Sequence, residues 1–328
     1  SRGVQTDKEN GPITVSTLKE ADHFASSGFT DILYAVGIVS PKLKEIKAIQ
    51  EKYNCKIQIV IDSLVMSKIV LDYSLENKVP LDVMLEIDSG EGRGGLKPSK
   101  KNIKEISSMF LSNKKYIKGV MTHAGHSYKT NDPKKICSIA EKERNEVLTA
   151  ARIVRRLGHP CPVVSLGSTP TILFASNLDG VSEVRCGVYM FWDLAQASKN
   201  ICTLEDIAVT VLATIIGHNK QKNKIIIDAG ALALSKDISA NQFMPKAGFG
   251  LICESQTGKP LGNLNISEVH QEHGSINIAN NKYFDLLPIG SKVRILPNHT
   301  CITCAGHEQY NILEKNVITG TWARINGW

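Results

Sequence analysis

The richest run of chemistry-bearing side chains lies near the C-terminus, in Leu296-Pro-Asn-His299-Thr-Cys301-Ile-Thr-Cys304-Ala-Gly-His307. Imidazole and thiolate are donors that suit zinc. The spacing leaves three arrangements open. All four residues close a structural zinc knot, or Cys301 and Cys304 form a redox pair, although no thioredoxin-like context accompanies them. In the third, His299 and Cys301 alone hold an ion, and water or substrate completes its shell as catalysis requires. A strand continuing through the run would turn His299 and Cys301 to one face and Cys304 to the other, because strand side chains alternate with period two.

A second set of polar residues follows short apolar runs earlier in the chain. These are Glu86-Ile-Asp88-Ser-Gly-Glu-Gly-Arg93, His123-Ala-Gly-His126-Ser-Tyr128, Ser165-Leu-Gly-Ser168-Thr169-Pro and Arg185-Cys-Gly187-Val188-Tyr189-Met-Phe-Trp-Asp193. The plain readings are a flexible Gly-rich turn, loop histidines without partners, and a helix N-cap at Ser168 or Thr169. A Gly-Ser-Thr turn opening a helix also offers N–H groups, two hydroxyls and a positive dipole end, which suit a phosphate. Gly187, at the neighbouring strand end, lets backbone approach closely.

The elements that must position these residues alternate. Strand candidates are 13–17, 31–36, 56–62, 81–88, 117–123, 162–167 and 182–187. Amphipathic segments at 19–27, 42–53, 63–76, 99–113, 132–157 and 169–176 separate or follow them. Strands alternating with helices predict parallel βαβ units, and short apolar runs suit strands covered on both faces. Seven such strands are one short of a (β/α)₈ barrel, whose chemistry collects at the C-terminal strand ends. A doubly wound sheet is the rival, but no Gly-rich dinucleotide turn follows these strands. After about residue 200 the pattern becomes all-β: 207–217, 224–233, 249–253, 268–278 and 292–296 read as strands, divided by turn signals at 219–223, 257–262, 280–281 and 288–290. The division reads as a barrel domain over 1–200 and a β-rich domain over 201–328.

The 328 residues suffice for one barrel-sized domain and a smaller one. No apolar run approaches the roughly 18–20 residues of a membrane span. The net charge of +7 is spread along helix-like lysine series such as Lys42, Lys44 and Lys47. That reads as a solvated helix face, and few aromatics interleave, so neither a membrane nor a nucleic acid is expected as partner. Eight irregularly spaced cysteines point to reduced thiols and a cytoplasmic setting.

Taken together, Pro297-Asn-His299-Thr-Cys301, Gly167-Ser168-Thr169-Pro-Thr, Arg185-Cys-Gly187-Val-Tyr189-Met-Phe-Trp-Asp193, Glu86-Ile-Asp88-Ser-Gly-Glu-Gly-Arg93 and the closing Gly327-Trp328 resemble the eukaryotic-type D-serine dehydratase and D-threonine aldolase family. These are fold-type III pyridoxal-phosphate enzymes related to alanine racemase. The resemblance, from about Ile13 onward, implies a pyridoxal-phosphate barrel followed by a β domain, and a homodimer. It implies that Arg93 and Tyr128 contact the cofactor ring region. Ser168, Thr169, Gly187, Val188 and Tyr189 would hold its phosphate, and His299 and Cys301 the metal. His-x-Cys is similar to the zinc-dependent D-serine dehydratase branch, whereas the aldolases carry His-x-Asp. A thiolate favours zinc by softness.

The family's Schiff-base lysine lies in an Arg-Pro-His-x-Lys-Thr-His-Lys motif on the first barrel strand. The motif does not occur in this sequence, where Lys8 has different neighbours. The expectation is that the protein continues upstream by one βα unit and a lead-in strand, roughly 50–60 residues. The implied chemistry is elimination from D-serine to pyruvate and ammonia, with pyridoxal phosphate as electron sink, a lysine as base and zinc on the β-hydroxyl. Carbon–carbon cleavage of a D-threonine-like substrate, or cofactor binding without turnover, are the alternatives.

Overall fold

Capping residues and short β-rich runs set the first part of the chain. The computed structural model describes residues 10–98 and 100–328. β1 (Ile13–Val15) leads into α1 (Leu18–Ser26), opened by a capping box in which Thr17 and Glu20 each accept the other's N–H. β2 (Asp31–Gly37), α2 (Ser40–Tyr53), β3 (Lys56–Ile61), α3 (Leu64–Glu76), β4 (Asp82–Ile87), α4 (Lys100–Ser112), β5 (Ile117–Thr122), α5 (Pro133–Arg156), β6 (Val163–Leu166), α6 (Thr169–Leu173) and β7 (Glu183–Val184) follow. Pro41 and Pro133 pre-set the first turns of α2 and α5.

The seven strands make one parallel sheet in strict chain order, β1 to β7. A doubly wound sheet would reverse its order at a switch point, so this is a barrel wall. Alternation divides its faces. Ile57, Ile59, Leu85 and Val164 join the large core with the helices. Leu33, Val60, Met84 and Met121 form a separate apolar belt on the inner face. Two residues before this belt come Asp31, Gln58 and Asp82, where the Gln58 amide donates to Asp31 at 2.8 Å. Two residues beyond it come Glu86 and His123, so the inner face turns polar again at the strand ends where loops begin.

The chain divides into two compact units. The first ends at Cys186 and takes in Gly327–Trp328, and the second is Gly187–Asn326. From the sequence the division falls at 200/201; in the structure Leu194 and Ala197 share a core with Ile207, Leu251 and Leu296. The second unit contains α7 (Leu194–Ala197), β8 (Val211–Asn219), β9 (Lys224–Ile227), α8 (Ala231–Leu234), β10 (Leu251–Glu254), β11 (Pro260–Asn265), β12 (Glu268–Val269), β13 (Gly274–Asn277), α9 (Lys282–Leu286), β14 (Lys292–Leu296), α10 (Thr300–Ala305), β15 (Gln309–Glu314) and β16 (Val317–Ala323). β8 to β14 form an antiparallel sheet ordered β11-β10-β14-β8-β9-β13-β12, and β15 pairs with β16.

Here the elements differ from the expectation in several places. The strand read through 224–233 stops at Ile227, because the chain turns at Gly230 against the His270 and Gln271 carbonyls, too close for any side chain. The run 268–278 is a hairpin of β12 and β13. β11 occupies part of a segment read as turn, its Pro260 and Gly262 masking the strand pattern. The run 297–301 is not strand. β14 ends at Leu296, since Pro297 has no N–H for the ladder, and His299 caps α10 instead. Among the described residues no helix is long and apolar enough to cross a membrane. All eight cysteines are free.

Gly119 shows how closely the inner face is filled. A Cβ there would lie 2.5 Å from the Val163 carbonyl and 3.1 Å from Met84 Cε. Gly119→Ala should therefore destabilise the protein by about 1–3 kcal/mol through overpacking. A lower urea midpoint is the expected result; an unchanged midpoint would show that β5 and β6 have room.

Candidate active site

The loop after β4 is held rather than flexible. Asp88 Oδ1 accepts the N–H groups of Gly90 at 2.8 Å and Gly92 at 3.1 Å, and Lys97 Nζ donates to Oδ2 at 2.5 Å. Burial would raise the Asp88 pKa, but these bonds outweigh it and hold it at about 2. Gly90 and Gly92 take the left-handed φ values of +128° and +75° that the turn requires. Leu96 then folds back onto Glu86 and Asp88 through two backbone bonds. Arg93 projects from this loop, largely exposed, with its guanidinium 3.7 Å from Glu91. Glu86 is pushed up by burial, and the Arg93 charge works the other way.

The ends of β5 and β6 are tied together. His123 Nδ1–H donates to the Gly167 carbonyl at 2.7 Å, and burial lowers its pKa, which favours the neutral ring. The Arg185 guanidinium donates to Ser165 Oγ and, at 2.5 Å, to the Thr122 carbonyl. Glu183, Glu143 and Glu86 favour its charge against the cost of burial. Tyr128 is half-buried in the 3₁₀ turn Gly125–Lys129.

In the Gly-Ser-Thr turn one residue caps the helix and the next keeps a hydroxyl without a partner. Ser168 is the N-cap of α6, in a capping box with Thr171, and its hydroxyl also meets Ser127 Oγ at 2.9 Å. Thr169 is 2% exposed, and its hydroxyl is buried with no hydrogen-bond partner. An orphaned buried hydroxyl at a helix start fits a group with strong acceptor oxygens, as a phosphate has. Gly187, Val188 and Tyr189 open the second unit, where Val188–Met190 is a 3₁₀ turn. Gly187 has an ordinary φ of −130°, and a Cβ there would meet nothing within 4 Å, so the space beside it is open.

In the second unit the Pro297–Thr300 backbone is pinned from several sides. Leu194 N–H donates to the Pro297 carbonyl at 3.1 Å and Ala195 N–H to that of Asn298 at 3.0 Å. The Asn298 side chain bridges Ala240 N–H and the Gly248 carbonyl. Asp193 is fully buried; Oδ1 accepts Gln196 N–H at 3.0 Å and Oδ2 accepts Thr300 N–H at 3.1 Å.

Two side chains converge at the start of α10. His299 Nδ1 lies 3.5 Å from Asp237 Oδ2, and His299 also meets Cys301. The Asp237 and Cys301 hydrogen bonds raise the imidazole to about 10 against the effect of burial. Burial would push Asp237 up, but bonds from His299 and Ser239 hold it at about 2. With Nδ1 committed to a carboxylate, Nε2 is the remaining imidazole donor, and Cys301 supplies sulfur beside it. The donor set fits a borderline-soft metal with open positions. Cys304 is buried, its thiol pushed up to about 11 by burial, and His307 Nε2 donates to the Ala233 carbonyl at 3.0 Å. No set of three or more His, Cys, Asp or Glu side chains among the described residues is arranged to hold an ion.

Sequence reasoning assigned no role to Arg185, Asp193, Glu143 or Asp237. Glu143 did leave a signal: it stands on the apolar stripe of α5 with Ile136, Ala140, Val147 and Ala150, where a carboxylate is out of place. Asp237 left none, being a loop residue far from His299 in sequence.

Comparison with known proteins agrees with this architecture. Residues 4–195 match the family model "Alanine racemase, N-terminal domain", and residues 208–313 match "Putative serine dehydratase domain". The chain is 38% identical over 321 residues to D-threo-3-hydroxyaspartate dehydratase of Delftia sp. (strain HT23), covering 96% of this chain and 84% of the relative. It is 32% identical to D-serine dehydratase of Dictyostelium discoideum, covering 93% and 79%. The solved Delftia structure superposes with a TM-score of 0.92 at 37% identity, over 96% of this chain and 84% of that one. The fold is therefore alanine racemase-like, a parallel half-barrel sheet followed by an antiparallel domain. The chain belongs to the D-serine dehydratase and D-threonine aldolase family of fold-type III pyridoxal-phosphate enzymes.

Asp193 gives a direct test of how the His299 segment is held. Asp193→Ala would leave the buried Thr300 N–H without an acceptor, while Gln196 N–H keeps the backbone carbonyl of residue 193 at 3.2 Å, so the cost should be about 1–3 kcal/mol. The expected result is a matching fall in unfolding free energy by denaturant titration. A fall within error of zero would show that Thr300 is held by other means.

Proposed function

We propose that this protein is a pyridoxal-phosphate- and zinc-dependent dehydratase of β-hydroxy-D-amino acids, converting D-serine to pyruvate and ammonia. The carrying observation is the open pair His299–Cys301, pinned from behind by Asp237. A thiolate in that pair suits zinc. The Delftia relative has been solved as a histidine-to-alanine mutant and as a cysteine-to-alanine mutant in the metal-free form. Those two positions are two residues apart, the spacing of His299 and Cys301. The Dictyostelium relative is a D-serine dehydratase by name.

In this reading Ser168, Thr169 and the backbone of Gly187, Val188 and Tyr189 hold the phosphate, and Arg93 and Tyr128 stand toward the ring. Bound pyridoxal phosphate supplies an electron sink for the bond broken at Cα, and a metal at His299 and Cys301 supplies a Lewis acid for the β-hydroxyl. The protein's own groups set the conditions. Burial favours the neutral form of His123, which disfavours a second cation beside Arg185. Glu86, raised by burial, holds a proton on its carboxyl more readily than a solvated glutamate. Asp237 fixes the His299 ring. A homodimer, implied by the family resemblance, and a cytoplasmic setting, to which eight free thiols are suited, belong to the same proposal.

A second substrate has its own support. The 38% identity to a D-threo-3-hydroxyaspartate dehydratase favours a β-carboxylated substrate. Incubating the full protein, supplied with pyridoxal phosphate and zinc, with each substrate separates the readings. Pyruvate and ammonia from D-serine are expected; oxaloacetate and ammonia from D-threo-3-hydroxyaspartate in preference would select the second. Glycine and acetaldehyde from D-threonine, without pyruvate from D-serine, would overturn the dehydratase reading. His299→Ala and Cys301→Ala should each lower elimination by on the order of 100-fold or more. Asp237→Ala should weaken zinc binding by about 10–100-fold in competition with a chromophoric chelator. Zinc affinity equal to the parent protein would remove Asp237 from the site. Chelation should stop elimination while leaving the far-ultraviolet circular dichroism unchanged.

A further inference from the structure

Glu143 is a charged residue in a place that only a specific task explains. It is 1% exposed, near the middle of α5, on the face that packs into the core. Burial pushes its pKa above the usual carboxylate range, opposed by the hydrogen bonds it accepts. Its Oε1 accepts the N–H of Ala124 at 2.9 Å and the N–H of Gly167 at 3.2 Å. Ala124 lies in the loop that follows β5, and Gly167 begins the loop that follows β6. Both N–H groups come where the parallel ladder has ended, so neither has a strand partner, and each would be costly to bury unpaired. One oxygen inserted from the helix layer serves both.

The same two loops meet twice more. His123 donates to the Gly167 carbonyl, and the Ser127 and Ser168 hydroxyls touch at 2.9 Å. Gly167 takes φ of +134°, and a Cβ there would collide with the Arg185 carbonyl at 2.8 Å, so the chain at this point is tightly seated. Two residues on stands the partnerless hydroxyl of Thr169. The direction in which that hydroxyl points is therefore set by the position of Gly167, and Gly167 is held by Glu143.

We propose that Glu143 is a positioning residue for phosphate capture, bracing the loops after β5 and β6 into one rim so that Thr169, next to the capping Ser168, presents its hydroxyl to the cofactor phosphate. This rests on the reading that Ser168 and Thr169 take that phosphate. The effect should fall on the phosphate and not on the pyridine ring, which separates it from a general loss of stability.

The test is equilibrium dialysis of the protein, freed of cofactor, against pyridoxal phosphate and against pyridoxal, which lacks the phosphate. The parent protein should prefer pyridoxal phosphate. Glu143→Met, similar in volume but without an acceptor, should lower that preference on the order of tenfold, with pyridoxal affinity little changed. Glu143→Gln, whose amide carbonyl still accepts both N–H groups, should stay within about threefold of the parent. Should Glu143→Met not fold, Glu143→Asp, one methylene too short to reach both N–H groups, carries the same expectation. Thr169→Val reports on the underlying reading. If Thr169→Val loses the preference while the Glu143 variants keep it, or if they lose both affinities equally, the positioning role is overturned. If Thr169→Val keeps the full preference, the phosphate lies elsewhere and the inference falls with that reading.

Discussion

Arg185 is a partly buried cation, and the strand ends are arranged around it. An unpaired guanidinium in a protein interior is far too costly to persist. Its fixed fork of donors reaches the Ser165 hydroxyl and the Thr122 carbonyl, so it spans the ends of β5 and β6. Glu183, Glu143 and Glu86 lie around it and favour its charge against the cost of burial. The inner face of the sheet can therefore be apolar at Leu33, Val60, Met84 and Met121 and polar one layer beyond. At the strand ends the polar groups are fixed by one another.

The second unit solves a related problem with carboxylates. Pro297 ends the β14 ladder, and the backbone beyond it has to find other partners. Asp193 accepts Thr300 N–H from a residue 107 positions away in sequence, and Asn298 is held by Ala240 and Gly248. Beside this scaffold His299 meets Cys301, with Asp237 at the imidazole Nδ1. Both units thus use buried acceptors where regular secondary structure stops, and in both the candidate site residues stand immediately beside them.

The parallel strands of the first unit were legible because each is a short apolar run set between helices with clear caps, such as Thr17 with Glu20 and Ser63 before α3. The pairs Ser168–Thr169 and His299–Cys301 stand out in the sequence as candidate donor sets, and the structure leaves the Thr169 hydroxyl without a partner and sets His299 beside Cys301. The reason given for His299 and Cys301 sharing a side was not correct. Strand alternation does not apply to a helix start, and the two meet because an N-cap residue and one two positions later lie close around its first turn. β11 was hidden by its proline and glycines, and the β15–β16 hairpin by a solvent-exposed pattern without a buried stripe. Arg185, Asp193 and Asp237 depend on long-range partners, which local sequence does not encode.

The most direct measurement is anomalous diffraction at the zinc edge from crystals grown with zinc and pyridoxal phosphate. One peak is expected, bonded by His299 Nε2 and Cys301 Sγ with its other positions open to water, together with phosphate density at Thr169 and Ser168. An ion held by Cys304 or His307, or phosphate density away from the Ser168–Thr169 turn, would contradict the proposed site.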